Sequence, residues 1–226
     1  MKMPPWSYSS LTKFETCPRQ YWLTKVAKKV TEPPTEATTH GTRVHEALEF
    51  RVKENRSLPE DLVKLEPIVA RFDKFKDKGK VFTELEMALT SSFSPTGFFE
   101  SDAWVRGIID VGVEVGDKAS LLDYKTGKVK PDSDQLKLFA AFYMQTYKHV
   151  KVVNTGFIWL KFDKYTGESY TREDLPSIWN DFLPRVQRME IAYDKDKWIP
   201  KPSGLCRGWC PAGRENCEFW SPKQTK

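Results

Sequence analysis

The sequence predicts an α/β domain built on a central mixed β-sheet flanked by helices, and three observations carry that prediction. Apolar residues recur at helical spacing through roughly the first third of the chain. The period then shortens to two in a group of runs between Lys80 and Thr126. Beyond Thr126, helix-like and strand-like stretches take turns. That order suits helices packed against a sheet with both parallel and antiparallel neighbours.

Ser9 or Ser10 can cap a first helix that runs to about Lys28, with Leu11, Phe14, Tyr21, Leu23 and Val26 as its apolar positions. Pro18 opens a new turn within that stretch. The segment "TEPPTEATT" reads as a loop around a proline pair. A second helix spans about Thr39 to Arg56, with Val44, Ala47, Leu48 and Val52 on its buried stripe. A third, amphipathic helix covers "PEDLVKLEPIVARFDKFKDKG" and ends near Gly79. "KVFTELEMALTSS" and "AWVRGIIDVGVEV" alternate as strands do, and "KASLLDYKT" is short and apolar before its charged end. A helix from about Ser133 to Lys148, a strand within "VKVVNTGFIWLKFDK" and a long helix from about Glu173 to Tyr193 follow. The tail is punctuated by Pro and Gly. There is no internal repeat and no low-complexity segment.

A chain of 226 residues suits one well-packed domain, or one domain with a small appendage. Hydrophobic residues make up 39%, with 14 Phe, 8 Trp and 8 Tyr, which is enough for a sizeable core. No run approaches about 18 apolar residues, so no membrane span is expected. The N-terminal "MKMPPWSYSSLTKFE" lacks the apolar stretch of a secretory signal, and a cytoplasmic location is the expectation. The net charge of +5 permits an anionic partner without requiring one.

Cys206, Cys210 and Cys217 crowd into the tail, and Cys17 lies near the other end. Structural disulfides do not suit a reducing compartment. Four cysteines of which three sit among Gly, Pro and Trp point to a metal or iron–sulfur site; the alternative is four unrelated thiols. Their intervals are not the C-x-x-C of zinc ribbons.

The most informative stretch is "RGIIDVGVEVGDKASLLDYKTGK", where Asp110, Asp123 and Lys125 interrupt apolar strand sequence. Gly116-Asp117 is a two-residue hairpin signal. With that loop, Val115 pairs with Lys118 and Asp110 falls opposite Asp123, their β-carbons about 4.5–5.5 Å apart. Lys125 shares the face of Asp123 because strand side chains alternate. Ile109, Val111, Val113, Leu122 and Tyr124 collect on the other face. Paired carboxylates repel unless a cation intervenes, and hard oxygen ligands favour magnesium or manganese. A salt-bridge cluster around Lys125 is the competing reading. Elsewhere, His45 and Glu49 are one helical turn apart, Gly41 marks a close backbone approach, and Glu84 precedes the hairpin on its own strand.

Six motifs, in order, resemble the RecB-like branch of the PD-(D/E)XK nuclease superfamily. "SYSSLTKFETCPRQYWL" is similar to its N-terminal helix with a cysteine. "GTRVHEALE" resembles its G-x-x-x-H-x-x-x-E helix, and "RGIID" with "LLDYKTG" its two nuclease strands. "DQLKLF" resembles the following Q-h-x-x-Y helix, and the cysteine triad resembles the C-terminal half of an iron–sulfur site. Phe139 departs from the pattern, standing where that helix usually has Tyr. No G-x-x-x-x-G-K-[ST] appears, so a stand-alone nuclease domain is expected over residues 1–226. Its sheet core would span 81–162, and segments 1–30 and 200–226 would join through the cluster.

The resemblance implies a restriction-endonuclease-like core and a metal-dependent deoxyribonuclease, an exonuclease acting on single-stranded DNA or DNA ends. His45, Asp110, Asp123 and the carbonyl of Tyr124 would bind Mg²⁺ or Mn²⁺, with Glu84 beside them. Lys125 would stabilise developing charge, Gln135 would reach the site from the next helix, and Arg106 would contact a phosphate. Cys17, Cys206, Cys210 and Cys217 would hold a [4Fe–4S] cluster, with zinc as the runner-up. Partners would be DNA and proteins of recombination or CRISPR adaptation. The alternative class is a catalytically silent DNA-binding or assembly subunit that keeps the fold.

Overall fold

The computed structural model describes residues 3–129 and 134–222. The chain forms two compact units. One comprises Met1–Pro34 with Asp181–Lys226, the other Thr35–Asn180. No helix of the described residues is long and apolar enough to cross a membrane.

In the first unit, α1 (Tyr8–Thr16) is capped by Ser7 rather than by Ser9 or Ser10. Ser7 and Ser10 exchange side-chain-to-backbone hydrogen bonds there. Cys17 is extended and ends the helix. Pro18 occupies the first turn of α2 (Pro18–Tyr21), as expected, and the chain continues through a π-helical turn at Trp22–Val26. Aromatic rings join Leu11, Leu23, Val186 and Met189 in the core of this unit. Trp198 packs edge-on to Phe14 and tilted on Tyr21, and Trp6 lies against Phe182.

The second unit carries the sheet. Its first helix, α3 (Glu36–Glu54), starts three residues before the predicted Thr39, because Thr35 and Thr38 cap each other reciprocally. The predicted third helix is split. A 3₁₀ turn at Glu60–Leu65 leads into α4 (Glu66–Asp73), where Pro67 sits in the first turn that tolerates its missing N–H. Then come β1 (Lys80–Leu89), β2 (Pro95–Thr96), β3 (Val105–Val115) and β4 (Lys118–Lys125). The remaining elements are α5 (Asp134–Thr146), β5 (Val152–Trp159), β6 (Lys164–Thr171) and α6 (Leu175–Asp194), the last crossing into the other unit at Asp181. The predicted start of α5 near Ser133 lies outside the described residues.

The strand order is β2-β1-β3-β4-β5-β6, with β4 and β5 parallel across α5 and every other pair antiparallel. The mixed sheet expected from the sequence is therefore present. β6 escaped prediction because "KYTGESYT" is a solvated edge strand with no apolar alternation. It is held by ladder bonds and by Trp159 Nε1–H donating to Thr166 Oγ1 at 2.8 Å.

Helices cover both faces. Val44, Leu48 and Val52 of α3 and Ile68, Val69 and Phe72 of α4 bury Val111, Val113 and Tyr124. On the opposite face, α5 is buried through most of its length. Its Tyr143 stacks on Phe82, whose ring occupies the space a β-carbon at Gly112 would need.

Candidate active site

The β3–β4 hairpin turns at Gly116-Asp117, with Gly116 at φ +63°, and its ladder pairs Val115 with Lys118 through to Val111 with Leu122. That is the register derived from the sequence. The ladder then stops one step short of Asp110–Asp123. Asp123, Tyr124 and Lys125 continue to pair only with β5. In place of a ladder bond, Tyr124 N–H donates to Asp110 Oδ2 at 2.7 Å. The strands open into a fork, and Asp110 fills its throat.

This fork corrects the expectation that all three charged residues share a face. Gly107 lies under Phe142 and Phe139 of α5, and Gly112 under Phe82 on the same side. Positions five apart cannot face one way in an unbroken strand, so alternation slips between them. Asp123 and Lys125 do point together, toward α5. Asp110 instead meets α3, its Oδ2 3.3 Å from His45 Nδ1.

One ligand atom each of His45, Glu84 and Asp110 lies within 4.8 Å of the others. β1 presents Glu84 through a left-handed backbone, φ +45°, directly opposite the fork. A non-glycine residue is held there only where its surroundings dictate it. Burial and then the charges of Asp110 and Glu49 push the Glu84 carboxyl up to about 7. Burial alone would pull the His45 imidazole down, but its hydrogen bond to Asp110 and the nearby carboxylates carry it above its ordinary value. The backbone carbonyl of Tyr124 also accepts from it.

Asp123 is almost fully buried and its carboxyl is raised, first by burial and then by Asp110. Gln135 Nε2–H donates to Asp123 Oδ1 at 2.7 Å, and Lys125 Nζ stands 2.6 Å from Asp123 Oδ2. Lys125 also donates to Gln135 Oε1 at 3.2 Å and lies over the Phe157 ring. Gln135 thus spans the carboxylate and the ammonium, as its expected place on α5 requires.

Arg106 is not brought to this group. Its guanidinium lies over the Phe98 ring and donates to the Phe98 carbonyl. Phe139 is buried against Gly107 as packing. Gly41 is not forced by a crowded neighbour, since an added β-carbon would meet only Thr126 Oγ1 at 3.5 Å. It does line a cavity of about 390 Å³ with Thr42, His45, Glu46, Glu49 and Glu84. Glu49 is the carboxylate whose role sequence reasoning left blank; its spacing of four from His45 is the signal that finds it.

In the other unit, Cys17, Cys206, Cys210 and Cys217 converge on one cavity closed by Pro200, Pro202 and Phe219. The N–H groups of Lys201 and Ser203 point at the sulfurs of Cys17 and Cys206, both at 3.4 Å. Burial pushes the Cys210 thiol up, and the other three sulfurs add to it. Among the described residues, no three of these sulfurs lie within 4.8 Å of one another.

A sequence model of the PD-(D/E)XK nuclease superfamily matches residues 5–217. No curated protein matches the chain by sequence. Among solved structures, a candidate exonuclease from Eubacterium rectale is similar at a TM-score of 0.56 and 14% identity, over 97% of this chain and 91% of that one. The protein SSO0001 is also similar in part, at a TM-score of 0.44 and 14% identity, over 94% and 85% of the two chains.

Proposed function

The chain belongs to the PD-(D/E)XK nuclease superfamily, and from that premise we propose that it is a divalent-metal-dependent deoxyribonuclease acting at single-stranded DNA or DNA ends. The observation that carries the reading is the convergence of His45, Glu84 and Asp110 within 4.8 Å, beside the buried Asp123–Lys125 pair. A salt-bridge cluster alone does not account for it. The carboxyls of Glu84 and Asp123 are both raised, by burial first and then by neighbouring carboxylates. A bound cation would offset that burial and repulsion.

The donor set fits a hard cation. Carboxylate oxygens with one imidazole suit Mg²⁺ or Mn²⁺, with Asp123 and the Tyr124 carbonyl completing the protein ligands. Such an ion supplies Lewis-acid activation of water and offsets charge growing on the phosphate. The side chains divide the rest of the work. Lys125, aimed by Gln135 and Asp123, carries a fixed positive charge to the position where negative charge develops. Asp110 holds the imidazole of His45 in place while tying β4 through Tyr124 N–H. Glu84, titrating near neutrality before an ion arrives, can take a proton in the working pH range.

For the cysteine cavity, we propose a [4Fe–4S] cluster in preference to zinc. A tetrahedral zinc site with sulfur at about 2.3 Å draws its sulfurs to about 3.8 Å of one another, closer than any three of these sulfurs stand. Two N–H groups directed at sulfur also suit a cluster's thiolates.

The test is cleavage of end-labelled single- and double-stranded DNA with Mn²⁺ or Mg²⁺, against Asp123→Ala and Lys125→Ala. Loss of cleavage in both variants supports the assignment. An inactive parent, or parent-like activity in both variants, ends it and favours the silent DNA-binding subunit.

A further inference from the structure

A second cavity, of about 500 Å³, is lined by Val52, Lys53, Lys76, Gly79, Lys80 and the β1 residues Val81 to Thr83. Three of its lining residues are lysines and none is Asp or Glu; the Lys80 ammonium lies over the Phe82 and Tyr147 rings, 5.8 and 5.7 Å from their centroids. Two elements lead from it into the metal cleft. Along α3, the i, i+4, i+8 stripe His45–Glu49–Lys53 covers ~12 Å at 1.5 Å per residue. Along β1, Lys80 to Glu84 covers ~13 Å at about 3.3 Å per residue. Both tracks therefore separate lysine and metal cleft by the same span, although one is a helix and the other a strand.

The strand contributes more than side chains. β2 pairs with β1 only at Ala88 and Leu89, so Lys80–Met87 is bonded on one side, to β3, and leaves its other edge open among the described residues. Alternate N–H groups of an open edge point outward and can donate to phosphate oxygens, beside the Thr83 hydroxyl. Glu49 and Asp73 hold Lys53 and Lys76 at 3.3 and 2.8 Å, which fixes where those ammonium groups stand. The two lysines are the exposed partners, so each can turn from its carboxylate to a phosphate.

We propose that this lysine-bordered cavity seats the phosphodiester backbone of a single nucleic-acid strand next to the bond presented to His45, Glu84 and Asp110. Lys53, Lys76 and Lys80 act as backbone contacts, without reading sequence. The inference rests on the nuclease reading for its orientation, but it can be tested without cleavage.

The experiment measures binding of a fluorescent single-stranded oligonucleotide by anisotropy in EDTA, across a salt series. The combined variant Lys53→Ala, Lys76→Ala, Lys80→Ala is compared with Lys148→Ala, Lys151→Ala, Lys161→Ala, which removes the same charge elsewhere. The first variant is expected to bind at least about tenfold more weakly, with the slope of log K against log salt reduced by about 2. The charge-retaining variant Lys53→Arg, Lys76→Arg, Lys80→Arg keeps both, and its melting temperature controls for folding. Equal losses in both alanine variants reduce the effect to net charge and overturn the proposal. So does unchanged binding with new self-association, which makes these lysines guards of an open strand edge. An inactive parent that still shows the expected binding difference would sink the nuclease reading and leave the backbone seat standing.

Discussion

The charged cleft and the cysteine cavity each gather four ligand-type residues, but they hold them by different means. His45, Asp110, Asp123 and Glu84 stand on a helix and three strands whose opposite faces are core. Three of the four cysteines stand in a Pro- and Gly-rich tail with one 3₁₀ turn, Gly204–Cys206. The cleft is thus shaped by packing without an ion, and a bound ion would add chemistry. The cavity has little secondary structure beneath it, and an occupant would add order. The two regions should therefore respond oppositely when a ligand is removed.

The largest expected effect separates function from stability in the cleft. Asp123→Asn keeps the volume and the Gln135 contact but removes a buried charge. Cleavage should fall by about 10³-fold, while the melting temperature of the metal-free protein holds or rises. A variant that loses activity and unfolds together would mean that Asp123 is a structural ion pair.

The cavity should behave the other way. A cluster bridging Cys17 and Cys206 would close a loop of about 190 residues, a constraint worth several kcal/mol in chain entropy. Cys210→Ser should bleach the brown colour of iron-loaded protein and lower its melting temperature by about 10 °C. Limited proteolysis should cut the tail first. A colourless parent with stoichiometric zinc would transfer the argument to zinc, and an unchanged melt would remove the ordering role.

Gln135→Ala tests how far the cleft depends on positioning. The amide touches both Asp123 and Lys125, yet would be no ligand itself. A loss of about tenfold in turnover is expected, in the range of residues that orient ligands, with the metal requirement unchanged. The split of turnover from metal affinity distinguishes an aiming residue from a ligand.

Much of the cleft was legible because hairpin geometry is local. Gly116-Asp117 fixed the register, which holds to Val111–Leu122, one step short of Asp110 and Asp123. The fork was not legible. It depends on a side chain replacing a ladder bond and on the left-handed backbone of Glu84, both consequences of tertiary packing. Arg106 was expected at a phosphate only through the family resemblance. Its partner Phe98 lies in a turn that carries no strong pattern. β6 was invisible for the same reason that it is an edge: solvent faces it, so no hydrophobic period marks it.

The smallest effect is the pH response of the empty cleft, and its sign follows from the raised carboxyls. Glu84 titrates at about 7 in the folded protein against 4.5 when exposed, and Asp123 is raised as well. Between about pH 4.5 and 7 the folded state holds protons that the unfolded chain has released, so stability falls as pH rises through that window. His45, also raised, acts in the same direction, because its contribution is lost as pH climbs past its folded value. Asp61 and Asp73 are lowered and lose their contributions only in more acid solution, outside the window. In EDTA, the melting temperature should be a few degrees higher at pH 5.5 than at 7.5, a modest shift for a chain of this length. Mn²⁺ should flatten the slope by displacing the protons, and Glu84→Gln should flatten it without metal. A melt that instead rises with pH in EDTA would place the balance of charge outside the cleft, and would leave only the cysteine cavity dependent on its ligand.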